Sequence, residues 1–116
     1  MRMLRSARSL IVYACGVFTV LAMIAFRDTP SLVLMIAAFC SIAMLATDFS
    51  IGRVIVYAFL FISAMTVEIA VVQAGIWTYA HADVFRIPLW IPFVWVCGGF
   101  VFIQFSHDLE AFLKRT

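Results

Sequence analysis

Charge is what this chain has least of: eight basic and six acidic residues among 116, 12% of the whole, against about 25% in soluble domains. Too few polar side chains exist to cover a globule of this size, so the exposed surface must meet lipid. The net charge of +2 is too small and too dispersed to attract nucleic acid. Cysteine is sparse as well. Cys15, Cys40 and Cys97 all fall inside apolar runs, where a thiol behaves as a small buried hydrophobe. No pair has zinc-ligand spacing and no disulfide framework is implied. There is no internal repeat, low-complexity tract or nucleotide-binding glycine pattern. Neither a metal nor a cofactor is expected.

What is present is hydrophobic residue, 66% of the chain. It is gathered into runs at 10–26, 31–47, 54–76 and 89–105, with short polar punctuation between them. A helix needs about 20 residues, within a range of 17–25, to cross a hydrocarbon core of about 30 Å. The runs lack the period-two alternation of a barrel strand, and lipid admits only helices or closed barrels. The expectation is a single all-α domain over 1–116, an integral membrane four-helix bundle. Pro30 and Pro88 are placed at helix starts, where a missing N–H costs nothing. Pro92 still falls within the first four residues of its helix, whose N–H groups lack intrahelical partners. Arg2, Arg5 and Arg8 ahead of an apolar run imitate a signal peptide. The run exceeds a secretory h-region and further spans follow, so a retained first helix is expected. The tail after Phe105, with Leu109, Phe112 and Leu113 beside charged residues, is expected to continue the fourth helix.

Orientation follows from Lys and Arg. With four spans, one side carries Arg2, Arg5, Arg8, Arg53, Lys114 and Arg115, and the other only Arg27 and Arg86. The positive-inside rule then puts both termini in the cytoplasm. The expected location is the plasma (inner) membrane, multi-pass, with the lipid bilayer as the first partner.

Glu68 is the only charged residue inside a run. An ionised carboxylate within a bilayer costs several kcal/mol, and an intramembrane acid is a functional candidate by default. The competing role is assembly, through a hydrogen bond to a neighbouring helix. Counting about eight residues in from each outer helix end brings Thr19, Cys40, Ser41, Val96 and Cys97 to its depth, with Trp95 one step above. Thr19, Ser41 and Trp95 are therefore candidate partners. Tyr57, Phe61, Ala64, Val72 and Gly75 share the Glu68 face at the helical period. Ser63, Thr66 and Gln73 lie roughly opposite, which makes the third helix either central or a contact for a second protein. Gly98 and Gly99 let another backbone approach closely. In the loop 77–90, Trp77, Tyr79 and Trp90 suit an aromatic belt. His81 and Asp83 are too few to make a metal site.

Glu68, Gly75, Trp77, Tyr79, Pro88, Leu89, Trp90, Pro92 and Trp95 together form a constellation. It resembles segments of small bacterial membrane proteins of no assigned activity. Over 68–95 it is also similar to the carotenoid-hydratase family of membrane enzymes. There an acidic residue, a glycine-containing turn ending in tyrosine, and a Pro-Leu element before a tryptophan follow in that order. That resemblance implies a lipid-soluble, isoprenoid-like substrate, with Glu68 as catalytic proton donor and Trp77, Tyr79 and Trp95 lining its site. Four short helices make a thin bundle without convergent catalytic groups, which favours another reading: an accessory subunit or self-associating bundle, partnered by other membrane subunits or by itself, with no catalysis of its own. A small transporter is the third reading. Small multidrug transporters share the length and four spans, but carry their membrane glutamate in the first helix.

Overall fold

A computed structural model describes residues 5–79, 82 and 86–115, with the Arg5 side chain left aside. It is all-helical, with four helices among the described residues: α1 (Arg5–Ala25), α2 (Pro30–Ala46), α3 (Ile51–Gln73) and α4 (Ile91–Arg115). Two of them, over Ser6–Ala25 and Ile51–Gln73, are long and apolar enough to cross a membrane. At 17 residues α2 is shorter.

Local chemistry explains the boundaries. Pro30 opens α2, its fixed φ already helical. The Ser50 side chain caps α3 by accepting from the Arg53 amide at 3.1 Å, satisfying one of the orphan donors of the first turn. At the far end of α3, Gly75 takes φ 76°. Its amide reaches the Val72 carbonyl at 3.0 Å and that of Ile76 reaches Val71 at 3.1 Å. This is the Schellman closure, which wants glycine in the left-handed region. The apolar run continues to Ile76, but the helix stops at Gln73. Similarly, α4 begins at Ile91 rather than at Leu89, with Pro92 as its second residue.

The third helix is not the central one. Helix α4 packs on α1, α2 and α3, whereas α2 touches α3 only lightly and α1 does not meet α3. Close approach is achieved at Gly99, where a Cβ would come within 2.6 Å of the Leu60 side chain of α3. The main core joins Val12, Cys40, Met44, Val96, Cys97 and Phe100, contributed by α1, α2 and α4. A smaller core of Val72, Ile87 and Ile91 lies at the end of the bundle opposite the termini, with Tyr79 and Trp90 packed on it.

Helix α4 also runs ten residues past its apolar segment, to Arg115. Its buried stripe explains this: Pro92, Val96, Phe100 and Gln104 recur every four residues and are all buried. Asp108 continues the spacing and bonds back to α1.

Candidate functional site

Glu68 is 2% exposed. It sits on the inward face of α3 with Ala64 and Val72, all three buried. Three donors converge on its carboxyl group. Trp95 of α4 donates its indole N–H to Oε1 at 2.8 Å. From the chain beyond the Gly75 turn, Tyr79 donates its hydroxyl to Oε2 at 2.6 Å, and the Trp77 indole donates to the same oxygen at 3.3 Å. Trp77 Nε1 also reaches Tyr79 Oη at 3.1 Å, orienting the phenol as donor toward the acid. An indole N–H can only donate, so at least two of the three neighbours use Glu68 strictly as acceptor.

The loop is built to deliver these groups. The left-handed Gly75 reverses the chain, so that Trp77 and Tyr79 return over the last turns of α3. Tyr79 meets the Trp90 ring edge-on, with centroids 6.5 Å apart and planes at 80°. Ile87 and Pro88 are wholly buried beneath. Burial and the adjoining Glu68 together push the Tyr79 hydroxyl up to about 12, against a smaller opposing pull from the Trp77 donor. The phenol therefore keeps its proton, and its donor role, throughout the neutral range.

Thr19 and Ser41 do not come to Glu68. Thr19 Oγ1 donates to the Cys15 carbonyl at 2.8 Å and faces Cys97 Sγ at 3.9 Å. Ser41 Oγ donates to the Ala38 carbonyl at 2.8 Å and pairs with Tyr57 Oη at 2.7 Å. Ser41 is not at the depth of Glu68: its partner Tyr57 precedes Glu68 by eleven residues in α3, about 16 Å at 1.5 Å per residue. Thr19 lies between α1 and α4, because α4 and not α3 occupies the centre. Matching depth does not bring side chains together when the helices face different neighbours. Trp77 and Tyr79, read first as interface aromatics, turn their polar atoms inward to the acid. Trp77 and Trp95 remain 43% and 50% exposed, so the carboxyl lies one ring beneath the surface. His81 and Asp83 lie outside the described residues. No group of three or more His, Cys, Asp or Glu side chains suited to a metal ion occurs among the described residues.

A second polar cluster occupies the end that carries the termini. Arg8 pairs with Asp48 at 3.0 Å and donates from Nε to Gln104 Oε1 at 3.2 Å. Gln104 Nε2 donates to Ser9 Oγ and Asp108 Oδ1, both at 3.0 Å. Ser9 and Tyr13 donate to Asp108 at 3.0 and 2.6 Å. Arg53 lies 4.6 Å above the Phe100 ring and reaches the Met44 carbonyl at 3.3 Å. Residue-by-residue reasoning missed this cluster. The signal was the four-residue spacing that carries the buried stripe of α4 through Gln104 into Asp108.

No protein-family model matches this chain, and neither a curated protein nor a solved structure is found to be similar to it.

Proposed function

We propose that the chain is a multi-pass protein of the plasma (inner) membrane, with four spans and both termini in the cytoplasm. In this reading it acts as an accessory subunit or self-associating bundle, without catalysis of its own. All four helices turn large apolar side chains outward, among them Phe18 and Leu21, Met35 and Phe39, Phe59 and Ile62, and Phe102 and Phe105. Together with the six-to-two bias of basic residues, this outward face supports four spans rather than two. One observation carries the non-catalytic role. Glu68 is sealed at 2% exposure with both oxygens occupied by donors, so the acid serves as a clasp that ties the loop and α4 to α3. A buried polar group whose partners are all supplied by its own chain specifies one packing.

A second reading, an enzyme acting on a lipid-soluble, isoprenoid-like substrate with Glu68 as proton donor, draws on the half-exposed Trp95 ring above the acid. Glu68→Gln separates the two. Tagged wild type, released from membranes in mild detergent, is expected as a particle larger than the 13.0 kDa chain, by light scattering with the detergent mass subtracted. The substituted amide turns an NH₂ against at least one donor, so that particle is expected to weaken or dissociate while the extracted neutral lipids of the cells stay unchanged. A monomeric wild type, or an altered neutral-lipid profile with the particle intact, would overturn the first reading.

A further inference from the structure

All three cysteines of the chain meet inside the bundle, one from each of α1, α2 and α4. Cys40 and Cys97 are buried in the main core, and Cys15 packs against it. Contacts with oxygen atoms fix the arrangement. Thr19, one turn after Cys15 on the same side of α1, brings its hydroxyl to 3.9 Å from Cys97 Sγ. Cys97 Sγ donates to the Ala37 carbonyl of α2 at 3.7 Å, about one turn before Cys40. The Cys15 and Cys40 thiols face each other as hydrogen-bonding neighbours, and Cys97 is within electrostatic reach of both.

We infer that Cys15 and Cys40 are a redox pair, closing into a disulfide between α1 and α2 at the expense of a membrane-soluble two-electron acceptor of the quinone class. Closure breaks two S–H bonds and forms one S–S bond. The two electrons and two protons reduce the quinone to its hydroquinone, so the step balances and leaves no ion in the apolar core. The choice of oxidant rests on the chain lying in a membrane; the pairing does not.

The surroundings separate the pair from the third cysteine. Cys97 has oxygen neighbours for its thiol, the Ala37 carbonyl as acceptor and the Thr19 hydroxyl beside the sulfur. Cys15 and Cys40 have each other. A thiol is a weak donor and a weak acceptor, so exchanging their S–H contact for an S–S bond gives up little polar interaction. Access also falls to one side. Cys15 is half-buried while Cys40 and Cys97 are buried. An oxidant arriving from outside the bundle therefore meets the Cys15 sulfur first, and Cys40 behind it completes the bond. Both partners belong to helices, whose backbones hold the sulfurs together, so the folded chain favours the disulfide over the unfolded one. Exchange requires a thiolate and access to the sulfur, and burial among apolar side chains denies both to water-soluble thiols. The closed form is therefore long-lived.

The test takes the full chain in mild detergent to equilibrium with graded amounts of mercaptoethanol disulfide at constant mercaptoethanol. Acid quenching, unfolding and alkylation with N-ethylmaleimide then count the thiols by intact mass. Reduced chain takes up three maleimides, one for each cysteine. Oxidised chain is expected to be lighter by two hydrogens and to take up one maleimide, which peptide mapping places on Cys97. Half-oxidation of the folded chain is expected at an at least tenfold lower disulfide concentration than the same chain needs when unfolded in SDS. Cys97→Ser is expected to keep that difference. A bond to Cys97 as the main product, a crosslink between two chains, or equal midpoints for folded and unfolded chain would overturn the pairing. In a second arm, reduced chain receives a short-chain benzoquinone without oxygen, and the same bond is expected with one hydroquinone formed per chain. Three maleimides still taken up there, with the first arm positive, would overturn the oxidant and leave the pair standing. Neither arm depends on whether the chain self-associates.

Discussion

The two polar clusters at opposite ends of the bundle solve the same problem in different ways. At the loop end, one acceptor, Glu68, gathers three donors from two segments. At the terminal end, Asp48, Asp108, Gln104 and Ser9 share the acceptor work, and Arg8 opposes Asp48 directly. The first arrangement has a single point of failure. The second is a mesh, in which a lost partner leaves neighbours able to reconnect. A hub of this kind concentrates specificity in one residue, whereas a mesh spreads it over several.

Glu68→Leu is expected to produce the largest effect. It strands the Tyr79 and Trp95 donors at once and leaves Trp77 only the Tyr79 oxygen. A buried donor without a partner costs about 1–3 kcal/mol, and the half-exposed indoles recover part of that, so a loss of about 2–4 kcal/mol is expected. Unfolding in an SDS titration, followed by helical circular dichroism, measures it. Amide exchange at 76–79 should speed up while that of α1 stays protected. An unchanged midpoint would show that the clasp contributes nothing to stability.

Tyr79→Phe removes one donor and sharpens the comparison through pH. The Tyr79 hydroxyl is raised from 10.0 to about 12. A proton held more tightly in the folded state contributes stability that is complete below the unfolded value and lost as pH rises through the folded one. Wild type should therefore lose stability between about pH 10 and 12 by this route, and Tyr79→Phe should lose less across the same window. At neutral pH the variant is expected to cost about 1 kcal/mol, the usual net worth of one hydrogen bond. Parallel curves for the two proteins across that alkaline window would remove Tyr79 from the clasp.

Arg8→Lys probes the mesh and is expected to have the smallest effect. Lysine keeps the charge beside Asp48 but has no Nε–H for Gln104. Gln104 is still held by its own donations to Ser9 and Asp108. A cost under about 1 kcal/mol follows, since a part-exposed ion pair is worth little and is retained here. A loss equal to that of Glu68→Leu in the same titration would show that the terminal end also depends on one residue.

Much of this was legible in advance for reasons of composition. Long apolar runs without period-two alternation point to helices, and Pro30 marks a start through its fixed φ. The Ser50 cap and the left-handed Gly75, which set α3 at Ile51–Gln73 instead of 54–76, became visible only in the structure. The standing of Glu68 as the one acid among apolar neighbours, and of Trp95 as a partner in reach, was equally a matter of position along the chain. Facing was not. That α4 is the central helix depends on close approach at Gly99 and on which surfaces the other three helices leave over, which is a property of all four at once. For that reason Thr19 lies near the depth of Glu68 and still bonds elsewhere, while Gln104 joins Ser9, 95 positions away. Ser41 meets Tyr57 about 16 Å along α3 from the acid. The linear pattern determined the number of helices, both ends of α2 to within one residue, and the loneliness of the acid. Only the tertiary structure decided which donors reach it, because hydrogen bonds require distances of about 3 Å, and the packing of helices, not their sequence spacing, sets distances on that scale.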